Sequence, residues 1–79
     1  MVIQILGSGC PKCRALEQSA RQALELAGVQ AEIQKITDID EIANMGVMMT
    51  PGIAVDGIVK QSGRVLRPEE IVPFLKTAS

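Results

Sequence analysis

The chain contains two cysteines, Cys10 and Cys13, separated by Pro11 and Lys12. Two thiols at this spacing can close a disulfide, or open one in another molecule by thiolate attack. They lie in Gly7-Ser8-Gly9-Cys10-Pro11-Lys12-Cys13, after the apolar run Val2-Ile3-Gln4-Ile5-Leu6 and before a long amphipathic stretch. The run reads as a strand and the stretch as a helix, so the sulfurs sit at a strand-to-helix junction. The first turn of a helix presents unpaired N–H groups and the positive end of the macrodipole, and both favour a thiolate. Such a setting lowers a cysteine pKa from about 8.5 to roughly 3.5–7.5. Pro11 suits the first helical position, where its missing N–H costs nothing. No Asp or Glu precedes Glu17, while Lys12 and Arg14 flank Cys13, so the local charge is positive. The expectation is that Cys10 is the exposed attacking thiolate and that Cys13, one turn further on, is the resolving thiol.

Two blander readings compete with this one. The cysteines could be small buried apolar residues. They could also be half of a zinc site, but the chain has no histidine and no third cysteine, so one chain cannot complete a thiolate and imidazole set.

Positioning these residues requires a scaffold, and the sequence outlines one. Val2 to Leu6 is aliphatic enough for a central strand buried on both faces. Residues 11–27 carry Cys13, Leu16, Ala20, Ala23, Leu24 and Ala27 at helical spacing, with Gly28 as the stop. Glu17 and Arg21 form an i, i+4 pair on that helix. Val29 to Ile36 alternates and reads as a half-exposed strand near an edge. Asp38 and Glu41 resemble a capping box opening a short helix, with Ile39, Ile42 and Ala43 as its apolar face and Gly46 as its end. Gly52–Val55 and Ile58–Gln61 flank Asp56-Gly57, a strong hairpin signal. Pro68, Glu69 and Glu70 open a last helix. Pro73 is expected to kink or shorten it. The order is β-α-β-α-β-β-α within a single domain, residues 1–79.

At 79 residues, the chain compensates for its small size with 47% hydrophobic residues, nearly all aliphatic. Phe74 is the sole aromatic residue, and the net charge is −1 with no basic cluster. Stacking on single-stranded nucleic acid and neutralisation of a phosphate backbone are therefore not expected. No apolar run approaches the ~20 residues needed to span a bilayer, and no signal peptide is evident. The expected location is the cytoplasm. There a Cys-x-x-Cys pair near a strand–helix–strand pattern reads as redox or metal chemistry.

With Cys10-Pro11-Lys12-Cys13 after the first strand and Thr50-Pro51 before the third, the chain resembles the thioredoxin and glutaredoxin-like family over nearly its whole length. It is most similar to the small redox-active disulfide proteins of archaea and bacteria. The resemblance implies an α/β minimal thioredoxin fold: a four-stranded mixed sheet with helices on both faces. It implies a thiol–disulfide oxidoreductase acting on protein disulfides without a cofactor or metal. A flavoprotein disulfide reductase, or glutathione, would be its electron source. It implies that Thr50-Pro51 is cis, packs beside the disulfide and leaves the backbone of Thr50 to bind a substrate strand. Pro11 and Lys12 would add contacts or tuning charge, and Met45, Met48 and Met49 could line a groove beside Thr50. Thioredoxins usually carry tryptophan before the first cysteine and Gly-Pro between the pair; here those places hold Gly9 and Pro11-Lys12. The Asp56-Gly57 turn is a poor match to the glutathione-binding segment of glutaredoxins. The alternative from another class is a soft-metal module, for Cu(I) or Zn, using the same cysteines. Copper-chaperone-like domains run β-α-β-β-α-β, with methionine just before the first cysteine, where this chain has Ser8-Gly9.

Overall fold

The computed structural model describes residues 1–9 and 11–76. Its elements follow the order β1 (Val2–Leu6), α1 (Pro11–Ala27), β2 (Glu32–Ile36), α2 (Ile39–Asn44), β3 (Gly52–Val55), β4 (Ile58–Ser62) and α3 (Pro68–Lys76). The strands form one sheet in the order β2-β1-β3-β4. The β1–β2 pair is parallel, with α1 as its crossover, and the β1–β3 and β3–β4 pairs are antiparallel. This is the expected mixed four-stranded arrangement. A soft-metal module of the copper-chaperone type would place β3 directly after β2 and end on a strand; here α2 intervenes and α3 comes last.

Strand alternation divides the core between the two faces of the sheet. Ile3 and Ile5 of β1, with Ile53 and Val55 of β3, face Leu16, Ala20 and Ala23 of α1 and Ile71 and Leu75 of α3. The small alanines on α1 let that helix lie close to the sheet. On the opposite face Leu6 packs with Ile42 of α2 and Val47.

Local chemistry explains the boundaries. α1 spans the expected residues, and Gly28 ends it at φ 67°. The Asp56-Gly57 turn has φ 51° and 85°, positive at both central residues as a type I′ hairpin requires. Lys60 is the extra residue of a bulge in β4, between the Ile53–Gln61 and Ala54–Val59 pairs.

Two expectations need correction. β2 begins at Glu32 rather than Val29. Gly28 and Val29 instead donate to the Glu25 and Leu24 carbonyls at the end of α1, which delays the strand. The apolar face assigned to α2 is mostly not buried. Ile42 is, but Ile39 is 73% exposed and Ala43 is also exposed, because this helix of six residues turns only one position into the core. Asp38 does cap α2, accepting from the Asp40 N–H at 2.8 Å. The last helix spans Pro68–Lys76 as expected, with Pro73 inside it. Pro73 faces solvent, and the fully packed Ile71 and Leu75 on either side hold the turn despite the missing hydrogen bond.

Candidate functional site

The site grows from the end of β1. Gly7 continues the sheet by donating to the Ile36 carbonyl at 2.9 Å, so the start of the loop is fixed to β2. Gly7 is buried, and the next two residues, Ser8 and Gly9, turn outward into solvent. Gly9 makes the reversal at φ 86°, a conformation that favours glycine. α1 then starts at Pro11 with no acid in its first turn.

Cys10 lies outside the described residues, between Gly9 and the first residue of α1. Pro11 and Lys12 are exposed on the first turn. Cys13 points inward and is 5% exposed. Its sulfur rests against the bare Cα of Gly7: a Cβ at position 7 would collide with Cys13 Sγ. The same Cβ would come within 3.8 Å of Thr50 Cβ. Gly7 is therefore the point where α1, the end of β1 and the segment before β3 converge.

On that third segment the Thr50–Pro51 peptide is cis. Pro51 is fully buried while Thr50 is exposed, so the pair packs inward through the ring and offers the threonine outward. The Pro51 carbonyl accepts from the Gly63 N–H at 2.8 Å, tying the segment to the turn after β4. Met45 is half-buried, whereas Met48 and Met49 stand in solvent. Cys13 and Thr50 are thus brought together at Gly7, with Pro51 next to Thr50 in the chain and Pro11 and Lys12 exposed on the first turn of α1.

A cleft of about 170 Å³ opens beside Cys13, between α1 and the end of β2. Its lining includes Gly7, Cys13, Arg14, Glu17, Lys35 and Thr37. Glu17 accepts from Arg21 at 2.8 Å and faces Lys35 Nζ at 3.2 Å. The Arg21 hydrogen bond, with Lys35 adding to it, holds the Glu17 carboxyl below the usual carboxylate range, against a smaller opposing effect of burial. The sequence had shown the Glu17–Arg21 pair but not that Glu17 stands one turn below Cys13 on the same face, although the i, i+4 spacing carries that information. Lys35 belongs to no sequence motif. Its signal was a break in alternation: it takes the place of an apolar residue on the side of β2 that faces α1.

The thioredoxin domain family matches residues 1–76. A thioredoxin from Methanothermobacter thermautotrophicus is 47% identical over 75 residues, covering 95% of this chain and 97% of that protein. A thioredoxin from Methanocaldococcus jannaschii is 43% identical over 77 residues, covering 98% and 88% respectively.

Proposed function

This chain belongs to the thioredoxin domain family of thiol–disulfide oxidoreductases, and on that premise we propose that it carries electrons to protein disulfides through a Cys10–Cys13 dithiol. In the proposed cycle the Cys10 thiolate attacks a target disulfide and forms a mixed disulfide. Cys13 then attacks the Cys10 sulfur, the target leaves reduced, and Cys10–Cys13 is left oxidised. The observation that carries this reading is the seating of the Cys13 sulfur against Gly7, next to Thr50–Pro51.

That placement gives each residue a role within the proposal. Cys13 is sheltered, as suits a thiol that acts only after a partner has been captured. Thr50, exposed beside it, offers its backbone to an extended target segment, and Pro11 and Lys12 are exposed on the first turn of α1. The electron source would be a flavoprotein disulfide reductase or glutathione, and the cytoplasm would be the working compartment.

The test is capture of the intermediate. A Cys13→Ser protein, incubated with a disulfide-bonded target, should accumulate a mixed disulfide through Cys10 that reductant releases. Cys10→Ser should accumulate none. Absence of any trapped adduct with Cys13→Ser would overturn the proposal.

A further inference from the structure

We propose that the Arg64–Glu70 ion pair positions Thr50 for target binding, by holding the turn after β4 against the residues on either side of that threonine. The inference rests on the exchange role proposed above and deepens it, because it names positioning residues outside both the cysteine motif and the Thr50–Pro51 segment.

The turn is Ser62-Gly63-Arg64, at the end of β4. All three residues are exposed, whereas Val65 and Leu66, which follow, pack into the larger core cluster. Gly63 meets both neighbours of Thr50. Its N–H donates to the Pro51 carbonyl at 2.8 Å. The Met49 side chain lies against its Cα: a Cβ at position 63 would stand 3.4 Å from Met49 Cβ and 3.8 Å from Met49 Sδ. Thr50 is therefore bracketed by a turn whose own residues lie outside the core.

The link from this turn to the rest of the fold is a charge pair. Arg64 Nη2 donates to Glu70 Oε2 at 2.6 Å, a short charge-assisted bond. The other Glu70 oxygen, Oε1, accepts from the Arg67 N–H at 3.2 Å, so the third residue of α3 reaches back to the residue before the helix. The Glu70 N–H donates to the Arg67 carbonyl at 2.9 Å. Ile71, next in the chain, is fully buried. Glu70 is thus fixed at the start of α3, with one carboxyl oxygen committed to the helix start and the other turned to Arg64. The Arg67 side chain also meets Oε1, at 3.3 Å, but it ties Glu70 to the helix start rather than to the turn.

An exposed turn opens at little cost. The fraction of molecules in which it is closed then scales the apparent affinity for a target segment laid along Thr50. Arg64 and Glu70 are 56% and 26% exposed, so their pair can shift that fraction by roughly two- to five-fold and not by orders of magnitude. Neither residue takes part in the sulfur chemistry, so the effect falls on binding and not on the rate at saturation.

The test uses pre-reduced protein and two disulfides: a peptide dimer joined by one disulfide, and hydroxyethyl disulfide, which has no chain to lay along Thr50. Arg64→Met should raise the half-saturating peptide concentration roughly two- to five-fold, with the rate at saturation and the reaction of hydroxyethyl disulfide unchanged. Glu70→Gln, which keeps an acceptor for the Arg67 N–H, should act in the same direction. Arg64→Lys should recover most of the loss. Arg67→Gln removes a contact of Glu70 without freeing the turn and should match the parent. In Arg64→Met and Glu70→Gln the Gly63 amide should also take up deuterium about two- to five-fold faster, while the Gly7 amide, bonded to the Ile36 carbonyl, keeps its parent rate. An unchanged Gly63 amide in Arg64→Met, or a loosened amide with an unchanged half-saturating concentration, would overturn the proposal. So would a slower reaction with hydroxyethyl disulfide, or an Arg67→Gln protein as weak as Arg64→Met, since either would mark a general loosening of the fold. Deuterium uptake involves no target, so the two readings fail separately: absence of a trapped adduct would remove the exchange role, and the Gly63 amide would still show whether the ion pair holds the turn.

Discussion

The two faces of the sheet meet the β1–α1 loop with different materials. On the α1 and α3 face, Ile3, Ile5, Leu16, Ile53, Ile71 and Leu75 are at most 3% exposed and belong to one cluster. On the α2 face, among the described residues, the smaller cluster of Leu6, Ile42 and Val47 is buried, while Ile39, Met48 and Met49 are 73%, 88% and 67% exposed. The recesses differ in the same way. The cleft beside Cys13 is walled by Arg14, Glu17 and Lys35, whereas the hollow on the α2 side is lined mainly by Ile39, Ile42, Val47 and Met48. Burial is thus concentrated on the side that seats Cys13. The side that carries Thr50 is held by one short helix, its Asp38 cap and loops.

This contrast predicts unequal costs for similar truncations. Leu16→Ala empties a fully buried position in the larger cluster, where neighbours from α1, α3 and two strands cannot all collapse inward. It should cost about 2–5 kcal/mol, toward the upper end. Ile42→Ala, in the small cluster beneath an exposed helix, should fall near the lower end, because α2 can settle into the space. Urea midpoints with unchanged slopes provide the measurement. Equal losses at the two sites would mean that the α2 face carries more of the stability than its burial suggests.

The second comparison lies within the loop itself. Gly7→Ala places a methyl group in the volume of Cys13 Sγ, so either the sulfur or the end of β1 must move. Overpacking of this kind costs about 1–3 kcal/mol. Displacement of a reacting sulfur by about 1 Å can slow exchange by roughly 10–100-fold. Gly9→Ala meets nothing within 4 Å, and its cost comes only from holding alanine at φ 86°. That should be about 1–2 kcal/mol, with little change in exchange rate per folded molecule. Stability and the rate of disulfide reduction, measured on both variants, separate the two causes. A Gly9→Ala protein that exchanges as slowly as Gly7→Ala would show that loop conformation, not the seat of the sulfur, governs the site.

Most of the scaffold could be read in advance, because the elements that bury the most surface also carry the clearest periodicity. α1 runs from Pro11 to Ala27 as its apolar spacing dictates, and the Asp56-Gly57 hairpin needs only local turn chemistry. The approach of Cys13 to Thr50 could be read only through a family resemblance, since no local rule links residues so distant in sequence. Where the reading failed, tertiary packing had overruled a local pattern. Ile39 is exposed because α2 is too short to bury a whole face. The contact of Lys35 with Glu17 is illegible for a related reason: it depends on register, Ile5 opposite Lys35, and register belongs to the paired strands rather than to either alone.

The smallest expected effect concerns the ion pairs of Glu17, which link α1 to β2, and separates charge from shape. Glu17 is held by Arg21 at 2.8 Å and Lys35 at 3.2 Å, with both cations more than half exposed. Pairs so open to water contribute a few tenths of a kcal/mol, about 0.3–0.5 for the i, i+4 member. The Arg21 hydrogen bond, helped by Lys35, holds the folded Glu17 carboxyl below its ordinary value of 4.5. As pH falls, the unfolded chain therefore takes up this proton first. The contribution is complete above about pH 4.5 and disappears as pH drops through the lower folded value. Glu70 works in the same direction, lowered chiefly by the Arg67 backbone N–H and then by the Arg67 and Arg64 side chains. Wild-type protein should thus lose a little stability on acidification, and Glu17→Gln should lose less. The two should differ by a few tenths of a kcal/mol near pH 7 and converge once the pH has fallen below the lowered folded value. Added salt should narrow the neutral-pH difference as well. A difference that persists undiminished in acid would show that the link works through the shape and hydrogen bonds of the side chain rather than its charge, and the contrast between a charge-built wall and an apolar one would lose its basis.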